Sequence, residues 1–386
     1  MAHKDVEPSL RNRTVRRVTI QDVAARAGVS KTTVSYVLNG RTDTRVPEAT
    51  RTRVLQAAEA LGYRRSAVAA CLRFGRPNTI AVIGPFSGEM DPCVVLNELH
   101  HRNLVLSCVT AAHQAGLNAL VITESPDSPL TVADLLDHRL DGFIIAGCSQ
   151  AEELACRAEE AHLPCVVLGL EVGSNRVHTD DRHGVEAAVQ HLYTCGHRRF
   201  AYLDKAVPDP DVSVKRKQAF QETVAQVTAG IPNGAAGIRD EDFYGLSDLP
   251  RLIHSLQQPY RPTAIFCYND AVAVDLYDAL RAVGLRIPTD VSVVGFDDTP
   301  LALTLRPRLT TVHNPLEKIA QTAVRRLCAL LNGDSLSPEP ELVLPWLVQR
   351  ESVAPPPSAS STTVPNSIST DFLSISSQTT QEGANP

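Results

Sequence analysis

The chain has 386 residues, 43% of them hydrophobic, and a formal net charge of −6 at pH 7. That length holds a small module plus an α/β domain of about 250 residues, and no apolar run approaches the ~18 residues of a membrane helix. The charge is uneven. Residues 1–76 carry 15 Lys/Arg against 6 Asp/Glu, a balance of +9, and the remainder carries −15; a basic head suits a phosphate backbone, and an acidic body repels one.

Residues 1–17, MAHKDVEPSLRNRTVRR, read as a flexible basic arm without the apolar stretch of a signal peptide. Residues 18–63 read as three short helices. Thr19-Ile20-Gln21-Asp22 is a capping-box-like start with Asp in place of Glu. Ile20, Val23, Ala24 and Ala27 then form one apolar face at helical spacing. Gly28 breaks that helix and Ser30 caps the next. In the second helix Val34, Val37 and Leu38 face inward, and Lys31, Thr32, Ser35, Tyr36 and Asn39 face outward. Pro47 fits the first turn of a third helix that turns Val54, Ala58 and Leu61 inward and stops at Gly62.

Two helices joined by a Gly turn match the helix-turn-helix layout, whose second helix offers side chains to a major groove. Lys31 reaches guanine or phosphate, Thr32 can touch a thymine methyl, and Tyr36 and Asn39 carry hydrogen-bonding tips. On spacing alone an amphipathic three-helix bundle with a solvated polar face stays open.

From Thr79 onward short apolar runs alternate with helical segments. TIAVIG (79–84), ALVIT (119–123), GFIIA (142–146), CVVLG (165–169), RFAYL (199–203), AIFCY (264–268) and SVVGF (292–296) are strand candidates. This alternation argues for parallel sheets, in two similar lobes because the units are too many for one. Residues 354–386, rich in Ser, Thr and Pro, read as a disordered tail. The nine cysteines are scattered without a CxxC pair, as expected of reduced, mostly buried thiols in the cytosol.

The stretch VTIQDVAARAGVSKTTVSYVLNG strongly resembles the head of the LacI family of bacterial regulators. LDGFIIAG, TDDRHGVEAAVQHLYTCGHRRFAYL, PTAIFCYNDAVAV and IPTDVSVVGFDDTPLALTLRPRLTTV continue the resemblance, in the family's order, to about residue 352. The implied fold is a small all-α helix-turn-helix head (18–63), a hinge helix and linker (64–77), and a two-lobed, periplasmic-binding-protein-like α/β domain (78–353) with Rossmann-like parallel sheets. Lobe 1 is expected over about 78–177 and 308–334, and lobe 2 over about 178–307 and 335–353. The implied function is a cytoplasmic, nucleoid-associated transcription regulator, most often a repressor in this family. Its expected partners are double-stranded operator DNA, read as a homodimer, and a small-molecule effector such as a sugar, with no membrane and no cofactor.

The resemblance also implies site residues. Thr19, Ser30, Lys31, Thr32, Ser35, Tyr36 and Asn39 are expected at DNA in the head. Val68, Ala69 and Leu72 are expected there in the hinge, with Leu72 as the wedge between central base pairs. Arg216, Asn269 and Asp297 are expected to bind effector: a planar fork, a donor–acceptor amide and a carboxylate suit hydroxyl pairs. The chain departs from the family pattern at Gly169, where the lactose-repressor branch has a sugar-binding residue. It departs again at the 85–101 loop, which lacks the common Asn-Pro-Phe-Phe run. Phe86 and Phe243 are the candidate aromatics for stacking on a ring. His178, Asp180, Asp181 and His183 have the residue types of a metal site but fall where the family carries a plain Val-Asp-Asn stretch, so no metal is expected. Neither GxSxG, GxxxxGK[ST] nor HExxH occurs, and an enzyme on this fold would need an active-site set that the sequence does not supply. An exported solute-binding protein would share the body but not the head.

Overall fold

Helix starts and stops in the N-terminal segment follow from a few side chains. The computed structural model describes residues 18–38, 46–63, 78–84, 92–123, 130–131, 135, 140–147, 150–205, 212–231, 237–239 and 242–357. They belong to two units that divide after Pro77. The basic arm, Asn39, the hinge with Val68, Ala69 and Leu72, Phe86 and residues 358–386 lie outside the described residues.

In the first unit, α1 (Ile20–Ala27) starts at Thr19, whose Oγ1 accepts from the Asp22 amide at 3.3 Å while the Asp22 carboxylate accepts from the Thr19 amide at 2.8 Å. This reciprocal box satisfies two backbone donors that a helix start otherwise leaves unpaired. Gly28 ends the helix at φ 64°, a left-handed conformation that costs a residue with a Cβ. Ser30 Oγ accepts from the Thr33 amide at 3.0 Å and starts α2 (Lys31–Leu38). Pro47 is the cap before α3 (Glu48–Ala60) rather than part of its first turn. Val23, Val34 and Val54 are fully buried at the centre of the three helices, each contributing about 1.5–3 kcal/mol of burial.

The second unit begins with β1 (Thr79–Gly84), α4 (Pro92–Gln114), β2 (Asn118–Thr123), β3 (Gly142–Ile145), α5 (Ala151–Glu160), β4 (Cys165–Leu168) and β5 (Arg176–Thr179). It continues with α6 (Asp181–Thr194), β6 (Phe200–Leu203), α7 (Val212–Val227), β7 (Phe243–Tyr244), α8 (Leu249–Ser255), β8 (Ala264–Cys267), α9 (Asp270–Ala282), β9 (Ser292–Asp297), α10 (Pro300–Thr304) and β10 (Thr310–His313). α11 (Leu316–Leu331), β11 (Glu341–Val343) and β12 (Trp346–Val348) follow. The strands form two six-stranded sheets, in the orders β11-β5-β4-β3-β1-β2 and β12-β10-β9-β8-β6-β7. The first sheet is parallel throughout. The second has one antiparallel edge, because β12 returns against β10 with Trp346 opposite His313. Central strands such as β3, β4, β6 and β8 are buried along their whole length, which is why they read as continuous apolar runs.

The chain crosses between the sheets three times, at Thr179–Asp181, His313–Leu316 and Val343–Trp346. The second crossing falls after His313 and not at 308, because β10 pairs with β9 from Thr310 to His313. The third falls after Val343 and not at 335, because β11 pairs with β5. The segment read as a loop to residue 101 is helical from Pro92. The segment read as tail from 354 is packed at its start. The Ala354 carbonyl accepts from Ser292 Oγ at 3.1 Å and lies 2.9 Å from His197 Nε2, and Ser352 is fully buried. At the crossings Trp346 stacks on His313 with ring centroids 4.2 Å apart, and the Asp298 carboxylate takes His313 Nδ1 at 2.8 Å and Arg350 Nη2 at 2.5 Å.

Candidate functional site

The polar side of α2 is solvent-facing. Lys31 and Thr32 are exposed and Ser35 and Tyr36 are half-buried. Ser30 and Thr19 are exposed at the two helix starts, with their hydroxyls engaged in capping.

In the second unit a cavity of about 590 Å³ opens at the carboxyl ends of both sheets. Gly147 after β3, Gly169 after β4, Asn269 after β8 and Asp297 at the end of β9 line it. Ligand sites at strand ends follow from α/β geometry, since loops there can vary without disturbing the sheet. Two of the three crossings line the cavity, through Asp180 and Asn314, and Leu342 reaches it from β11 just before the third.

Arg216, Asn269 and Asp297 converge there. Arg216, on α7, is buried. Its Nε donates to Asp181 at 2.8 Å, its Nη1 donates to the Tyr268 carbonyl at 2.9 Å, and its Nη2 lies 3.8 Å from Asp297 Oδ1. The guanidinium also lies over the Phe296 ring at 3.6 Å. Burial opposes its charge, but Asp181 and Asp297 outweigh that and raise its pKa. Most of the fork is therefore committed to the protein, and its role is to hold the site in shape as well as to touch a ligand.

Asp297 sits at φ 97°, and the following Asp298 at φ 53°. Two consecutive non-glycine residues in this region are strained, and such strain gathers at functional sites. Burial alone would raise the Asp297 carboxyl, but His100, Arg216 and Asn314 hold it well below the usual carboxylate range. His100 Nδ1, from the first lobe, is 3.2 Å from Asp297 Oδ1 but off the angle of a hydrogen bond, and Asn314 Nδ2 donates to the same oxygen at 3.3 Å. No hydrogen bond or ion pair among the described residues uses Oδ2. Asn269 caps α9 through its Oδ1, which accepts from the Val272 amide at 2.9 Å, and leaves its Nδ2 without a partner among the described residues.

On the first-lobe side, the carboxylate of Glu171 accepts from Arg176 Nη1 at 2.6 Å and is paired with Lys215 of α7, an ion pair that spans the lobes. Lys215 foremost lowers the pKa of Glu171. His178 Nδ1 is 3.6 Å from the same carboxylate.

Sequence reasoning missed several of these residues. His100 and His101 reach the cavity because α4 begins where a loop was expected. Tyr268 is the aromatic that lines it; Phe243 instead packs beside Tyr202 in the second-lobe core, with centroids 6.0 Å apart. Asp180 caps α6 and Asp181 holds Arg216. Among the described residues no group of three or more His, Cys, Asp or Glu side chains is placed to hold a metal ion, and no helix is long and apolar enough to cross a membrane.

Comparison with known proteins accounts for both units. Residues 19–66 match the family model described as bacterial regulatory proteins, lacI family, and residues 189–353 match that of a periplasmic binding protein-like domain. The chain is 28% identical over 344 residues to the ribose operon repressor of Escherichia coli (strain K12), covering 86% of this chain and 99% of that protein. It is 31% identical over 351 residues to the HTH-type transcriptional repressor PurR of Escherichia coli O139:H28, covering 88% and 98%. The crystal structure of the Lac repressor dimer bound to operator and the anti-inducer ONPF aligns with a TM-score of 0.70 at 26% identity, covering 88% of this chain and all of that one.

Proposed function

Because the chain belongs to the LacI family of bacterial regulatory proteins, whose members are transcription regulators and not enzymes, we propose that it is a repressor that binds a near-palindromic operator as a homodimer. Its DNA affinity is set by a carbohydrate or related metabolite held between the lobes. The observation that carries this reading is the cavity itself, which draws on both sheets and on two of the crossings between them. A molecule held there contacts the angle between the lobes directly.

A ligand shifts DNA affinity only through different affinities for two lobe arrangements. Arg216, Asn269 and Asp297 present a donor–acceptor set on one lobe, and closing the other lobe over it completes the grip. The family resemblance puts the hinge, with Val68, Ala69 and Leu72, between this unit and the head, so lobe rotation alters the spacing of two hinges in a dimer. Thr19, Ser30, Lys31, Thr32, Ser35, Tyr36 and Asn39 are the head's DNA contacts in this reading, with specificity mainly in Lys31, Thr32 and Tyr36. The protein works in the cytoplasm, where its DNA is.

The test is a gel shift on an operator selected from random duplexes, with light scattering of the complex. The reading expects two subunits on a site of two-fold symmetry, and an Arg216→Ala protein that no longer responds to an effector found by thermal-shift screening. A monomer protecting one half-site, or a wild-type response in Arg216→Ala, overturns the corresponding part.

A further inference from the structure

We propose that His178 is the first-lobe contact for a ligand hydroxyl, and that Glu171 positions it, making the cavity selective for a polyhydroxylated molecule. The inference rests on the reading of the cavity as an effector site and adds the half of it that lies on the other lobe.

The alternation of β5 sends Val177 into the core shared with α11 and His178 to the opposite face. There His178 lines the cavity, only 7% exposed. Its Nδ1 faces the Glu171 carboxylate at 3.6 Å. Its Nε2 is buried with no hydrogen-bond partner among the described residues. Buried polar atoms in folded proteins are nearly always paired, and the partner this nitrogen lacks is one that a hydroxyl in the cavity can supply. Burial lowers the His178 pKa, which keeps the ring neutral. A neutral ring beside a carboxylate carries its proton on Nδ1, the nitrogen facing that negative charge, and leaves Nε2 as an acceptor.

Glu171 is what fixes that tautomer, and its own carboxylate is held from the second lobe by Lys215. Closure and the orientation of His178 therefore share one group. Several charges around the cavity are paired: Arg216 with Asp181, Glu171 with Lys215 and Arg176, and Arg182 with Glu222. Three groups on the cavity lining have capacity that no described residue uses: Asn269 Nδ2 as a donor, and Asp297 Oδ2 and His178 Nε2 as acceptors. Two acceptors on facing lobes suit a molecule carrying hydroxyl donors at both ends, a carbohydrate.

The first measurement uses the full-length protein alone. Nitrogen-15 NMR of the imidazoles, assigned by comparison with His178→Phe, is expected to show a neutral ring protonated at Nδ1 at pH 7, and Glu171→Gln is expected to disturb that tautomer. A cationic ring, or one protonated at Nε2, overturns the proposal. The second measurement is calorimetry with D-ribose, D-glucose and cellobiose, with hypoxanthine as a nucleobase comparator. The expected result is that a sugar binds and that His178→Phe weakens it roughly 10- to 100-fold, the loss for an unpaired buried hydroxyl. His178→Gln, which keeps an acceptor, should recover part of this loss. A monodeoxy form of that sugar should be weakened in wild type and unaffected by His178→Phe. If Arg216→Ala abolishes sugar binding and His178→Phe leaves it unchanged, the effector site stands and the role of His178 falls. Binding of hypoxanthine alone, or of none of the sugars, overturns the carbohydrate class.

Discussion

At the scale of single residues the site is dominated by Asp297, whose backbone stands at φ 97° and whose carboxylate meets Arg216 and Asn314. Such a conformation costs about 1–3 kcal/mol in a non-glycine residue. Asp297→Gly removes the charge and the strain, whereas Asp297→Ala removes only the charge. The glycine variant should therefore be more stable than the alanine variant by about 1 kcal/mol or more in urea unfolding, and both should lose the effector response. Equal stabilities would show that the left-handed turn is not strained. In the head, Lys31 and Tyr36 stand on the solvent-facing side of α2. Family members often have arginine at the Tyr36 position, and tyrosine cannot make that residue's bidentate pair with guanine. Replacing either residue by alanine should cost about 1–3 kcal/mol on the cognate operator and relax one base position. Uniform loss over all sequences in a selection experiment would place them on phosphate instead.

At the scale of elements, the second lobe is tied together by buried polar groups. Gly295, in β9, leaves room for Asp270 beneath it: a Cβ there would lie 2.5 Å from Asp270 Oδ1 and 2.8 Å from Leu309 Cδ2. Burial pushes the Asp270 carboxyl up to about 8, against the hydrogen bonds from Thr311 and Thr299. Gly295→Ala should destabilise the second lobe by about 1–3 kcal/mol, read by urea unfolding. His197 bridges Thr263 Oγ1, at 3.0 Å, and the Ala354 carbonyl, clamping the C-terminal segment to β8 and β9. Burial lowers its pKa from 6.5 to about 4. Between those values the unfolded chain binds a proton that the folded ring refuses. Stability is thus intact above pH 6.5 and falls by about 3 kcal/mol as the pH drops to 4. His197→Gln should flatten this part of the pH profile, and an unchanged slope would assign the acid sensitivity elsewhere. Most strands legible in the sequence were those buried on both faces, such as VVL at 166–168, where apolar runs leave no other reading; β2, an edge strand that is largely exposed, was legible from its apolar run alone. The short strands β5, β7, β10, β11 and β12 were not, because Thr310, Thr311 and His178 are polar residues whose burial depends on partners far along the chain. For the same reason Arg216, Asn269 and Asp297 could be named from their motifs, while His100, Asp181 and Lys215 needed the fold to bring them in.

At the scale of the whole molecule, a head region at +9 and a body at −15 make DNA binding an electrostatic contest. Two heads that neutralise six to ten phosphates should lose about 10³-fold or more in operator affinity between 50 and 200 mM salt; a shallow salt slope in titrations would mean that few of the basic residues reach the backbone. Leu72→Ala should reduce both operator affinity and bend angle in a gel-mobility bend assay while leaving effector binding intact, and equal bends would make Leu72 a packing residue. The chain has a single tryptophan, and Trp346 is stacked on His313 at the rung where β10 and β12 each meet a crossing to the other lobe. Both rings belong to one sheet, but each stands next to a crossing, and no second indole exists to dilute the signal. Closure that bends the crossings should therefore change the emission of Trp346 on titration with a bound metabolite, with no label and no DNA in the cuvette; an unchanged spectrum at saturation would show that the stack rides rigidly with its own lobe.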